Sequence, residues 1–229
     1  MKIKLLVAAA ATVVASSAMA QSAFEGAYGQ LGVGYENNSI SSRTFTFTSF
    51  TTPSDSGSAS ASTSSGGGLS SNVGLGYNMS VAPQWLVGIG ADYSFTNVTT
   101  STVGLYNGAS AGVNVNYKVA NRYNIFLTPG YEIDKDKLVY VKGGFSSQSL
   151  TWQGQNTIAS LGNKSTNVNG YVAGLGYKQL LDKNLYVFGE GNYYSYSSTT
   201  LSGNVGDGTI SQKQTPSAYQ FLVGLGYKF

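Results

Sequence analysis

Histidine and cysteine are both missing from the 229 residues. Without histidine there is no Ser-His-Asp or Cys-His catalysis and no imidazole metal ligand. Without cysteine no disulfide staples the fold and no thiolate site exists. Charge is also scarce, with 13 Lys+Arg against 10 Asp+Glu. A net charge of +3, falling to +1 once Lys2 and Lys4 are lost, is no electrostatic footprint for nucleic acid. Proline occurs only four times. Beyond the N-terminus no apolar run approaches the ~20 residues that a membrane helix needs.

What is plentiful is glycine (30), tyrosine (17) and the small polar residues Ser, Thr and Asn. The N-terminus reads as a secretory signal. Lys2 and Lys4 form a positive n-region, Leu5 to Ala15 a short apolar core, and Ala18-Met19-Ala20 an A-x-A cleavage site. Gln21 is therefore expected to begin the mature chain, and an uncleaved anchor helix is the alternative. An exported chain without disulfides must hold itself together by sheet hydrogen bonds or by a core alone.

Eight segments alternate with a period of two, near 26–36, 67–79, 84–96, 119–133, 138–152, 165–178, 184–198 and 216–229. Four carry the same signature: Gly32-Val33-Gly34-Tyr35, Gly74-Leu75-Gly76-Tyr77, Gly174-Leu175-Gly176-Tyr177 and Gly224-Leu225-Gly226-Tyr227. No G-x-G-x-x-G and no following helix pattern supports a nucleotide loop. Connections alternate in length. Three are short: Ser80 to Pro83, Asp134 to Lys137, and Gln179 to Lys183. Four are long, at about 37–66, 97–118, 153–164 and 199–215. Asp134 and Asp136 could be taken for a calcium site, but a charged hairpin turn is the simpler reading.

Each segment has one face fit for lipid, such as Trp85, Val87, Ile89, Ala91, Tyr93 and Phe95, or Tyr123, Ile125, Leu127, Pro129, Tyr131 and Ile133. Aromatics gather near the segment ends, as at two membrane interfaces. Segments of 11 to 15 residues suit tilted membrane strands better than the five or six of a secreted sandwich. Pro129 cannot donate a ladder hydrogen bond, so a bulge or local break is expected there. The first loop contains Thr44-Phe45-Thr46-Phe47-Thr48, which would extend strand one. A low-complexity run, Ser54 to Gly68, is expected to be mobile. Val113 to Tyr117 would prolong strand four.

The opposite faces collect the charges Glu36, Asp92, Arg122, Glu132, Lys142, Lys178, Glu190 and Lys228. An eight-stranded barrel has room only for side chains, and buried charges must be paired. Parity alone predicts an interior ionic network of Asp92, Arg122, Glu132, Lys142 and Glu190. Lys142 is expected to join Glu190, and Arg122 to join Asp92. A structural network is the reading adopted, and a gate or selectivity filter is its alternative.

The last eleven residues, Tyr219 to Phe229, alternate strictly at the odd positions and end on an aromatic. With the signal, the eight strands and the G-x-G-Y ends, the chain from about Ala23 resembles the small outer-membrane barrels of the OmpA-type and OmpX-type, opacity-protein-like group. The resemblance implies an all-β, eight-stranded antiparallel up-and-down transmembrane β-barrel with short periplasmic turns and long extracellular loops. It implies insertion in the bacterial outer membrane by the assembly machinery, helped by periplasmic chaperones, with Tyr219, Phe221, Tyr227 and Phe229 as the recognition signal. No cofactor, no metal and no nucleic acid are expected, and a monomer is. Of the functions carried by such barrels, a structural, surface-exposed protein with adhesive or antigenic loops comes first. A narrow or gated pore is the alternative, and an enzyme is set aside for want of histidine.

Overall fold

The computed structural model describes residues 22–41, 43–61, 63–107, 110–155, 164–205 and 208–229. Ala18, Ala20 and Gln21, the expected cleavage site, lie outside them. Among the described residues the regular structure is nearly all strand: β1 (Gly26–Ser41), β2 (Arg43–Ser49), β3 (Gly57–Ala61), β4 (Ser64–Ala82), β5 (Trp85–Ser94), β6 (Val98–Thr99), β7 (Val103–Asn107), β8 (Ser110–Asp134), β9 (Lys137–Gln155), β10 (Lys164–Leu180), β11 (Leu185–Tyr196), β12 (Thr199–Val205) and β13 (Gly208–Lys228).

Eight of these form a closed antiparallel ring. Neighbours run β1-β4-β5-β8-β9-β10-β11-β13, and β13 pairs back onto β1 from Tyr28↔Lys228 to Ser41↔Thr215. Closure leaves no strand edge within the ring, which is the condition for a sheet to cross lipid. The remaining strands prolong the wall outward. β2 continues beyond β1 along β13, β12 continues beyond β11 along β13, and β6 and β7 continue beyond β5 along β8. β8, at 25 residues, is about 80 Å long, or about 60 Å tall at a ~40° tilt. That is roughly twice the ~25 Å apolar band of such a barrel, so much of the wall stands above the membrane.

Alternation is strict where lipid meets the wall. Leu31, Val33, Leu75, Ile89, Ile125, Leu127, Leu175, Val223 and Leu225 all point outward and are exposed. Rings frame this band. At one end Trp85 packs on Tyr131 at 5.0 Å and Tyr227 on Phe229 at 5.4 Å. At the other Tyr193 packs on Tyr219 at 4.9 Å and Tyr123 on Phe145 at 6.2 Å. In the Asp134–Lys137 turn Lys137 Nζ pairs with both carboxylates, at 3.1 Å from Asp134 and 3.5 Å from Asp136. The Lys135 backbone N–H and the Lys137 ammonium together hold the Asp134 carboxyl below its usual range.

Two expectations are corrected. Pro129 makes no bulge: Val87↔Pro129 lies in unbroken register with β5. Toward β9 the expected local break is present: the ladder lacks pairs at Thr128 and Pro129 and resumes at Gly130↔Tyr140 with the same offset as at Leu127↔Gly143. The register shifts instead between Ala120 and Tyr123, where Asn121 takes φ 51°, and again between Glu132 and Asp134 at the turn. Asparagine tolerates that left-handed conformation, and the extra residue reverses parity. Below it Arg122 and Asn124 face the lumen, and above it Tyr117 and Val119 do. The run Ser54 to Gly68 is not a loose loop. It supplies a 3-10 turn at Pro53–Asp55, β3, and the first residues of β4, since small side chains pair readily on a wall with no core to fill.

Candidate functional site: the barrel lumen

The lumen is filled in layers from the turn end upward. At the mouth Phe24, Leu86 and Leu138 cluster against Leu180. Phe24 belongs to the segment before β1, which folds across the opening. Asn78 Nδ2 donates to the Phe24 carbonyl at 3.0 Å, Ser80 Oγ to Glu25 at 2.6 Å, and Ser22 Oγ to Glu132.

Above this lies an aromatic layer of Tyr28, Tyr186 and Phe188 with Leu222. Facing glycines make room for the rings. A Cβ on Gly226 would fall within the Tyr186 ring, and one on Gly176 within Tyr140. Lys178 ends inside this layer. Its ammonium lies 4.0 Å from the centre of Tyr28, 4.9 Å from Tyr186 and 5.3 Å from Tyr140. No carboxylate within ion-pair distance of it occurs among the described residues. Three ring faces supply its negative potential.

The next layer is ionic. Lys142 Nζ is 2.8 Å from Asp92 Oδ2 and 2.8 Å from Glu190 Oε1, and it lies 4.1 Å over the Phe126 ring. Neutral donors complete both carboxylates. Asn124 Nδ2 donates to Asp92 at 2.5 Å, Asn192 Nδ2 to Glu190 at 2.7 Å, and Tyr140 Oη to Glu190 at 2.7 Å.

Higher still Arg122 reaches Glu36 with both terminal nitrogens, at 2.5 and 2.9 Å. It also donates to Gln148 at 3.1 and 2.8 Å and to Asn38 at 3.2 Å, with its guanidinium 4.3 Å over the Tyr194 ring. Bidentate, hydrogen-bonded and fully buried, this is the geometry in which an internal ion pair repays its desolvation. Gln220 Nε2 ties Glu36 to Ser70, at 3.2 and 2.7 Å. At the top of the lumen an apolar and aromatic cluster including Ile40, Tyr117, Leu150, Trp152, Val168 and Tyr196 surrounds the buried amides Gln212 and Gln214, and Tyr117 Oη donates to Gln212 at 2.8 Å.

The structure therefore brings Lys142, Asp92 and Glu190 together. The expected pair of Arg122 with Asp92 is not made. Asp92 stands opposite Asn124 and takes Lys142 from across β8, whereas Arg122 crosses to Glu36 on β1. Glu132 is outside the network as well, because it sits at the mouth, ten residues below Arg122 on the same strand, holding Ser22. Parity had put Glu36 and Lys178 in the lumen without giving either a role, and the tyrosine box around Lys178 has no signature along the chain. Tyr219, Phe221, Tyr227 and Phe229 all face outward from β13, where each is at least half exposed. Among the described residues the six buried charges balance: Glu36, Asp92 and Glu190 against Arg122, Lys142 and Lys178.

A closed ring of tilted strands, greasy and aromatic outside and polar within, defines an integral barrel of the bacterial outer membrane. The chain belongs to the outer membrane protein beta-barrel domain family, whose model matches residues 6–229. It is 24% identical over 147 residues to outer membrane protein P1 of Coxiella burnetii, a match spanning 62% of this chain and 56% of that protein. Among solved structures it is similar to the outer membrane protein OprG of Pseudomonas aeruginosa. That likeness has 16% identity and a TM-score of 0.56, and it covers 91% of this chain and 98% of the other.

Proposed function

We propose that this barrel is a sealed scaffold that displays its tall extramembrane wall at the cell surface, with adhesive or antigenic hairpin ends, rather than a conduit. The observation that carries this reading is the filling of the lumen. Large side chains fill it at both ends, apolar at the mouth and mixed with Gln212 and Gln214 at the top, and between them the ionic layers leave each carboxylate engaged. A conducting pore needs a water path with sites weak enough for ions to leave. Buried pairs at 2.8 Å are the reverse. The wall above the membrane favours display. Its outer face carries cross-strand hydroxyl pairs, such as Ser149 with Ser165 at 3.0 Å and Ser202 with Ser211 at 2.9 Å.

Residues 1–20 act in this reading as a removed signal and 21–229 as one barrel, inserted as a monomer by the outer-membrane assembly machinery. A non-enzymatic role belongs to this reading, since without histidine the chain cannot run Ser-His-Asp or Cys-His chemistry. A narrow gated channel is the second reading, favoured by the column of charge from Lys178 through Lys142 to Arg122. Planar-bilayer recording of the refolded protein separates the two. A silent bilayer, with folding checked by heat-shifted gel mobility, is expected. Discrete openings whose size or selectivity changes in Lys142→Met would replace the scaffold with the channel.

A further inference from the structure

Of the three buried cations only the lysines can become nucleophiles, because a guanidinium keeps its proton. Lys178 has no carboxylate in reach among the described residues, whereas Lys142 has two. Its Nζ lies 2.8 Å from Asp92 Oδ2 and 2.8 Å from Glu190 Oε1, and none of the three side chains is more than 3% exposed. The Asp92 carboxyl carbon is one bond beyond Oδ2, so nitrogen and carbon are held where addition can begin. The two carboxylates differ in their partners. Glu190 receives Lys142 and Asn192 on Oε1 and Tyr140 on Oε2, donors that keep it an anion. Asp92 Oδ1 receives the Asn124 amide at 2.5 Å, but Oδ2 has only the lysine. Asn124 therefore stands where negative charge gathers during addition to the Asp92 carbon. The Phe126 ring, 4.1 Å from the ammonium, covers the group from one side.

We propose that Lys142 and Asp92 condense into an intramolecular isopeptide bond, with Glu190 as the proton carrier. The ammonium passes one proton to Glu190 Oε1, and the freed amine adds to the Asp92 carboxyl carbon. A second proton crosses the existing hydrogen bond from nitrogen to Oδ2. Glu190 returns the first proton to the same oxygen, which leaves as water. The third hydrogen stays on the amide nitrogen. One C–N bond forms, one C–O bond breaks, nothing is oxidised or reduced, and Glu190 ends as it began. Burial favours the product, because two desolvated ions become one neutral amide. One charge of each sign is lost, so the lumen stays balanced. The bond ties β5 to β9 across the intervening β8 and joins positions 50 apart in sequence. Protein taken directly after folding still carries the ion pair, and the bond accumulates as it ages.

The test is intact-mass measurement of the barrel, both extracted from outer membranes and refolded into vesicles and kept warm for days. Protease digestion then maps any branch. The expected mass is lower than that of the chain by one water, in a fraction that grows with time, with a branched peptide joining Lys142 to Asp92. Asp92→Asn should reach the same product mass by expelling ammonia instead. Glu190→Gln, with folding checked by heat-shifted mobility, should form the bond at least about tenfold more slowly. Lys142→Arg keeps the cation and should lose no water. Where a variant does not fold, the wild type decides by itself: a mass that stays at the value of the unmodified chain overturns the proposal. A branch from Lys142 to Glu190, or a loss of water that persists in Lys142→Arg, overturns it as well.

Discussion

Replacing Lys142 with methionine tests the lumen most directly. The wild-type ammonium is the shared cation of Asp92 and Glu190, at 2.8 Å from each, and none of the three side chains is more than 3% exposed. Both carboxylate oxygens contact one nitrogen, so they lie no further from each other than twice that distance. Methionine keeps the volume and the contact with Phe126 but leaves two like charges buried in the lumen. Breaking a buried pair costs about 3–5 kcal/mol, because the abandoned charge stays desolvated. Here two are abandoned, and the expected loss is at the upper end, about 5 kcal/mol. The neutralised triple variant Lys142→Met/Asp92→Asn/Glu190→Gln removes the charges together. It should recover most of that loss, to within ~1–2 kcal/mol of wild type. Urea titration of protein folded in vesicles, read by heat-shifted mobility and tryptophan fluorescence, gives both numbers. A Lys142→Met midpoint unchanged from wild type, or a triple variant no better than the single, would refute the argument that these charges are mutually held.

Lys178→Met should behave oppositely. Its ammonium is held by ring faces worth ~0.5–2 kcal/mol each, against a desolvation cost of several, so stability should stay within ~1 kcal/mol of wild type or rise. A loss as large as that of Lys142→Met would show that Lys178 is tied to the carboxylate layer above it. Gly226→Val drives a side chain into the Tyr186 ring, and little protein should reach the heat-resistant folded form. Adding Tyr186→Ala should restore much of that fraction, and no rescue would mean the glycine serves another purpose. Deleting Phe229 removes the terminal ring packed on Tyr227 and is expected to leave protein in the periplasm. Normal recovery of that truncation from outer membranes would remove the recognition role proposed for the last strand.

What could be read along the chain and what could not divides by the range of the information. A period of two is local, so it revealed the eight strands, the face each shows to lipid, and the aromatic borders, all within a dozen residues of one another. Parity is nearly local. It held for Asp92, Lys142 and Glu190, and for the long stretch of β8 below Asn121. It failed just above that residue, because a single left-handed asparagine reverses parity and turns Tyr117 and Val119 into the lumen. Proline is the louder signal on the page, yet Pro129 left the register untouched and Asn121 changed it.

Partner choice inside the lumen is not local at all. Arg122 and Asp92 lie on adjacent strands and face the same way, which made them an obvious pair. Which charges meet depends on the stagger around the ring and on how far each side chain reaches across it. Arg122 finds Glu36 on the far wall, 86 positions away in sequence, and this leaves Asp92 to Lys142. Lys178 then has no carboxylate left to take, and the tyrosines that receive it are spared a clash by glycines paired with them on neighbouring strands. The neutrality of the lumen is therefore a property of the closed ring. An account of why any one of its charges is present has to include the other five.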